Sequence, residues 1–138
     1  MTTTEAPIGT STSTSIDAFL AAVLRGDGIP ADIYADGAEL DATVPNWRFS
    51  AQGGAAISQA YAGWFADPGR FEQLDRRPME GGEAVAYLLA WEEGGVPFAA
   101  HHAHLFRVDD DGRIVSDRVW CGGRWSATLL AEMAAAAR

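Results

Sequence analysis

Apolar and polar residues alternate along this chain in two textures, a helical one in the first half and a strand-like one in the second. Ile16, Phe19, Leu20, Val23 and Leu24 follow the i, i+3, i+4 spacing of one helix face. Ser15 is the expected N-cap of that helix, and the glycines of Arg25-Gly26-Asp27-Gly28 are its expected stop. Pro30 suits the first turn of a short helix reaching Ile33 and Tyr34. Residues 38–44 alternate loosely and read as a strand, broken by Pro45-Asn46. A second helix is predicted over 55–66, where Ile57, Ala60, Tyr61, Trp64 and Phe65 share a face and Asp67-Pro68-Gly69 ends the pattern. Beyond it, strands are predicted over 70–77, 83–92, 96–108 and 113–122. Glu80-Gly81-Gly82, Glu93-Gly94-Gly95 and Asp109-Asp110-Asp111-Gly112 separate them as hairpin connectors. A last helix follows Gly122-Gly123, with Trp125, Leu129, Leu130 and Met133 on one side.

Helices first and a meander afterwards argue for an α+β fold: a curved antiparallel sheet wrapped around the N-terminal helices, with a C-terminal helix. A sheet covered on one side leaves a cone whose mouth can hold a ligand. The chain, 138 residues long, suits a single core. Residues 16–138 are therefore expected to form one domain, and 1–15, rich in Thr and Ser, a disordered lead-in.

Charge narrows the partners. The net charge of −9 has no basic stripe to offset it, which argues against nucleic acid and anionic membranes. A single cysteine, Cys121, cannot form an internal disulfide and fits a cytoplasmic location. The first fifteen residues have neither the basic start nor the apolar stretch of a secretory signal.

The sharpest chemical feature is Ala100-His101-His102-Ala103-His104, which holds all three histidines of the protein. On a strand, His102 and His104 share a face and His101 takes the other. Imidazole moves protons near neutral pH, so the pair on one wall suits acid–base work. His101 is the alternative inward residue, because Ala103 and Leu105 on its face are apolar. The turn at 109–112 leaves the register open. A two-residue loop sets His104 opposite Asp117, a partner that would fix its tautomer. A three-residue loop with Gly112 in a bulge sets it opposite Arg118. His-x-His also presents two metal ligands, with Asp41 or Asp117 as a third, but no further His or paired Cys supports a metal site. Trp64, Trp91, Trp120 and Phe106 are candidates to line a cavity, and Tyr34 and Tyr61 to donate a hydrogen bond to a carbonyl or enolate. Gly122-Gly123-Arg124 lacks the pattern of a phosphate loop, and Cys121 reads as packing rather than as a nucleophile.

The order helix, short helix, strand, helix and four long strands resembles the nuclear transport factor 2-like superfamily. Leu40-Asp41-Ala42-Thr43-Val44-Pro45-Asn46-Trp47, Ala66-Asp67-Pro68-Gly69-Arg70-Phe71-Glu72 and Cys121-Gly122-Gly123-Arg124-Trp125 look like segments of its small SnoaL-like bacterial members. The resemblance implies cofactor-free chemistry inside the cone and, commonly, a homodimer packed through the sheet. It also implies that Asp41 and Trp47 can reach the cone, with Asp41 as a general base whose pKa apolar neighbours raise. The Arg-x-Asp arrangement of limonene epoxide hydrolase is not found. The resulting expectation is a cofactor-independent isomerase, cyclase or dehydratase of a small apolar or aromatic metabolite, with secondary-metabolite biosynthesis as its setting. His104, helped by His102 or Asp117, would move the proton, Asp41 would be a second acid or base, and Arg118 or a tyrosine would stabilise an oxyanion. A non-catalytic binding module and a metal-assisted lyase or hydrolase using His102 and His104 are the alternatives.

Overall fold

The computed structural model describes residues 13–137; the lead-in predicted over 1–15 lies almost wholly outside them. Helix α1 (Thr14–Arg25) carries Ile16, Phe19, Leu20 and Val23 into the core at the predicted spacing. Its N-cap is Ser13, whose Oγ accepts from the Ile16 amide, so the expected cap at Ser15 is corrected by two residues. Ser15 is buried within the first turn instead. Gly26 ends the helix at φ 71°, and a Cβ there would sit 2.0 Å from the Asp67 carbonyl carbon. One glycine thus serves both the left-handed stop and the close approach of the chain after α2.

A 3₁₀ turn (Ala31–Ile33) leads into β1 (Tyr34–Val44), which turns at Asn46 into β2 (Trp47–Gln52). Strand β2 is absent from the sequence prediction, although Trp47, Phe49 and Ala51 alternate with polar residues, because the stretch is short and follows the Pro45-Asn46 break directly. Helix α2 (Gly54–Tyr61) is shorter than predicted, and Trp64 and Phe65 belong to the turns that follow it. The meander consists of β3 (Gly69–Met79), β4 (Gly82–Glu93), β5 (Val96–Val108) and β6 (Ile114–Trp125). Strand β6 runs through Gly122-Gly123, so Trp125 closes a strand, and α3 (Ala127–Ala136) starts after it with Ser126 as cap.

The strand order is β2-β1-β6-β5-β4-β3. All neighbours are antiparallel except β1 and β6, so the sheet is mixed rather than purely antiparallel. The return of β6 beside β1 brings both halves of the chain onto one surface. Helices α1 and α2 supply the core side chains that meet the inner face, among them Phe19, Ile57 and Tyr61 against Leu40, Val85 and Phe106. Helix α3 lies beside β5 and buries no residue. Among the described residues, no helix is long and apolar enough to cross a membrane.

Both registers considered for the β5–β6 hairpin need correction. The turn itself has the three-residue form, with the Asp109 amide donating to the Arg113 carbonyl and Gly112 at φ 81°. A second irregularity follows, since Val108 pairs with Ile114 but Arg107 with Ser116. Val115 is the extra residue, and it shifts the ladder by one more place. His104 therefore lies opposite Val119, and Asp117 opposite Phe106. A one-residue slip exchanges the faces of a strand. Here it carries Asp117 inward and Arg118 outward.

Candidate functional site

Burial alternates along β5, placing His102 and His104 on the inner face and His101 outside, where its ring lies 6.4 Å from that of Trp125. The two inward rings meet different surroundings. His104 Nδ1 is 2.9 Å from Asp117 Oδ1, a diagonal contact across the shifted ladder. Its Nε2 is 2.9 Å from the Tyr87 hydroxyl. Asp117 Oδ2 accepts from Tyr61 at 2.7 Å and more weakly from Tyr34 at 3.4 Å. The pattern that satisfies every group has Nδ1–H donating to the carboxylate and the Tyr87 hydroxyl donating to Nε2. Burial, and next the Asp117 charge, hold the phenols of Tyr34, Tyr61 and Tyr87 well above their ordinary pKa. Phe19 packs edge-on against His104 and Phe106 lies flat on it, sealing the network in the core.

His102 is 3% exposed, yet neither of its ring nitrogens has a hydrogen-bond partner. Burial, followed by the neighbouring His104 and His101, pushes its pKa down to about 3. It is therefore a neutral imidazole at physiological pH. Trp64 stacks on it at 5.5 Å and 18°, and Phe65 and Tyr87 close its other sides. An unpaired buried polar group is costly and calls for an explanation. Part of the answer is a hollow of about 440 Å³ that the ring borders, although the two nitrogens themselves have almost no surface open to it. That volume is within the usual range for small-molecule sites. Val44 and Pro45 from the end of β1, Trp64 and Ala66 after α2, and Trp91 and Ala100 give it apolar walls. Cys121, the cross-strand neighbour of His102, faces the same space. Burial raises its thiol pKa, against a smaller opposing effect of the Gly123 amide, which donates to Sγ. Asp67, Glu93 and Arg124 line the cavity as its charged residues.

A larger hollow of about 580 Å³ lies against β1, β2 and β6 and includes Asp41, Arg48 and Arg118. Its arginines and Asp41 already satisfy one another, and Glu39 is exposed to solvent. Arg48 binds both oxygens of Asp41 at 2.9 and 2.7 Å, and Arg118 Nε stands 3.8 Å from the same carboxylate. Nothing there is buried and unpaired, so it is the weaker candidate.

Several expected site residues are thereby relocated. Asp41 projects from the outer face, and its Arg48 hydrogen bonds lower its pKa rather than apolar burial raising it. Trp47 is 70% exposed. Arg118 and Trp120 lie outside as well, with the guanidinium 5.3 Å from the indole centroid. Tyr34, Tyr61 and Phe106 are inward but belong to the core, not to the cavity wall. Asp117 serves His104 and does not touch His102. Of the aromatic candidates, Trp64 and Trp91 line the hollow. Among the described residues no three His, Cys, Asp or Glu side chains converge on a metal position, and the proposed third ligands are engaged elsewhere.

Tyr87, Glu93 and Arg124 were not identified from sequence. Tyr87 had a readable signal, since it lies among the alternating apolar residues of β4 and must place its hydroxyl somewhere. Glu93 and Arg124 had none, because their meeting depends on a second ladder irregularity, between Ala100 and His102.

The cavity beside His102 has a volume within the range of small-molecule sites. Comparison with solved structures bears on the fold. A candidate isomerase from Rhodopseudomonas palustris matches with TM-score 0.56 and 21% identity, over 88% of this chain and 96% of that one. A steroid delta-isomerase from Pseudomonas aeruginosa matches with TM-score 0.54 and 16% identity, over 94% and 90% of the two chains. A nuclear transport factor 2-like protein of unknown function from Cytophaga hutchinsonii gives 0.54 and 11%, over 80% and 98%. No family profile and no curated protein sequence matches the chain. The chain has the nuclear transport factor 2-like fold.

Proposed function

We propose that the protein is a cofactor-independent proton-transfer enzyme of the isomerase type, acting on a small, largely apolar carbonyl compound in the cavity beside His102. One observation carries this reading: a buried neutral imidazole whose two nitrogens are both unpaired and which borders an apolar hollow. Such a ring offers one acceptor and one donor on edges that point apart, so a small ligand meets one nitrogen at a time. In a keto–enol step, the bare nitrogen takes a proton from the carbon beside the carbonyl and returns it to another carbon of the enolate, once the rings that shield it move aside. Exclusion of water strengthens that contact. His104, fixed by Asp117 and Tyr87, acts one layer behind and holds Tyr87 against the His102 ring. The solved isomerases of the same fold support this reading by analogy of fold.

The test is exchange of carbon-bound hydrogen for deuterium in D₂O, followed by NMR over a panel of small cyclic ketones. Exchange above the buffer rate, lost in His102→Leu, is expected. Exchange at the buffer rate for every ketone would overturn the proposal. A second reading, a non-catalytic binding module, is favoured by the lack of any carboxylate hydrogen-bonded to His102. It predicts ligand binding by tryptophan fluorescence without exchange.

A further inference from the structure

The charges of the cavity are arranged in a way that bears on what it accepts. Among the described residues Arg124 is its one cationic lining residue, and it is already engaged: its guanidinium donates to Glu93 Oε1. Glu93 is itself anchored, because Trp91 Nε1 donates to its other oxygen at 2.8 Å. These two donors, with Trp91 first, lower the Glu93 pKa and keep the carboxylate charged. The arginine is pinned from a further side, lying 4.2 Å over the Phe98 ring, which stacks on Trp91. Asp67 adds a second carboxylate to the lining, and His102 contributes no charge. Taken together the lining is mildly negative, and its cation is neutralised before any ligand arrives.

We infer that the cavity selects uncharged ligands bearing a hydroxyl or carbonyl group for His102, and that Glu93 sets this selectivity by occupying Arg124. A ligand carboxylate entering the hollow meets Glu93 and Asp67 without a free cation to receive it. Glu93 and Arg124 stand at the mouth, one-third and half exposed respectively, so the repulsion is screened by solvent but still opposes an anion. With Glu93 made neutral, Arg124 becomes an open anion receptor, since a guanidinium matches a carboxylate fork. The inference rests on the reading of this hollow as a ligand site, and it extends that reading from a location to a class of ligand.

The test compares two planar probes of similar shape, 2-naphthol and 2-naphthoate, by quenching of tryptophan fluorescence at pH 7. The proteins are the wild type, His102→Leu, Glu93→Gln, and Glu93→Gln with Arg124→Gln; circular dichroism confirms that each folds. Gln retains an acceptor for Trp91 Nε1 while removing the charge. The wild type is expected to bind 2-naphthol about tenfold or more tightly than 2-naphthoate. Glu93→Gln should narrow that ratio by roughly tenfold through tighter naphthoate binding, and the double variant should reverse the gain. A wild type that prefers naphthoate, or a ratio unchanged in Glu93→Gln, overturns the selectivity while leaving the ligand site in place. Binding of neither probe, or naphthol binding indifferent to His102→Leu, overturns the site itself and the inference with it.

Discussion

His102 and His104 stand two residues apart on one strand face, yet one belongs to a wall and the other to a core. His104 has a partner on each nitrogen and aromatic rings above and beside it. His102 has rings around it and no partner at all. The difference teaches that a motif's chemistry is assigned by what its neighbours leave unsatisfied. In His104 every hydrogen bond is spent on holding Tyr61, Tyr87 and Asp117 together. In His102 the same capacity is unspent, and a ligand can use it once the covering rings shift.

The contrast is broken most forcefully at Asp117. Asp117→Ala removes the acceptor shared by His104, Tyr61 and Tyr34 and leaves buried polar groups unpaired. A loss of about 3–5 kcal/mol is expected in urea unfolding, as for breaking a buried charged network. A loss under about 1 kcal/mol would mean that the network is not holding the core.

A second effect is a slope in pH. In the native state the His102 pKa is about 3, against 6.5 for an ordinary histidine. Between those values the unfolded chain holds a proton that the native chain lacks. The shift costs nothing above the unfolded pKa and becomes a growing penalty as pH falls through this window, by about 1.4 kcal/mol per unit. His102→Leu cannot show it, so the stability difference between variant and wild type should shift toward the variant on acidification. Parallel curves for the two proteins would show that His102 is solvated or paired in solution.

Smaller effects sharpen the comparison. Tyr87→Phe deprives His104 Nε2 of its partner and should cost about 1–3 kcal/mol, while leaving the cavity lining intact. His102→Leu at pH 7 replaces an unpaired polar group with an apolar one and should be neutral or stabilising by about 1 kcal/mol, measured by chemical denaturation. Asp41→Ala on the outer face should change stability by at most about 1 kcal/mol, because its arginine pair is solvent-exposed. The same variant should leave naphthol binding unaltered. Weakened binding would return Asp41 to the site.

Much of the architecture was legible without coordinates. The helical spacing of Ile16, Phe19, Leu20 and Val23 and the glycine-bearing connectors of the meander are local signals, and local chemistry sets them. That His102 and His104 would share a face followed from the two-residue repeat of a strand. Strand β2 alternates in sequence, with Phe49 and Ala51 half-buried, but six residues directly after a Pro-Asn break gave too short a signal to separate from a loop.

The site was less readable, for a definite physical reason. The sequence determined the histidine strand, the acidic surface and the supply of aromatic residues. Only the tertiary structure decided that Val115 would bulge, and that single extra residue turned Asp117 inward and Arg118 outward. It likewise decided that Asp41 would point away from the core, and that Trp64 would cover His102 from a turn rather than from a helix. Periodicity belongs to a segment, whereas register and the pairing of buried polar groups belong to contacts between segments far apart in the chain.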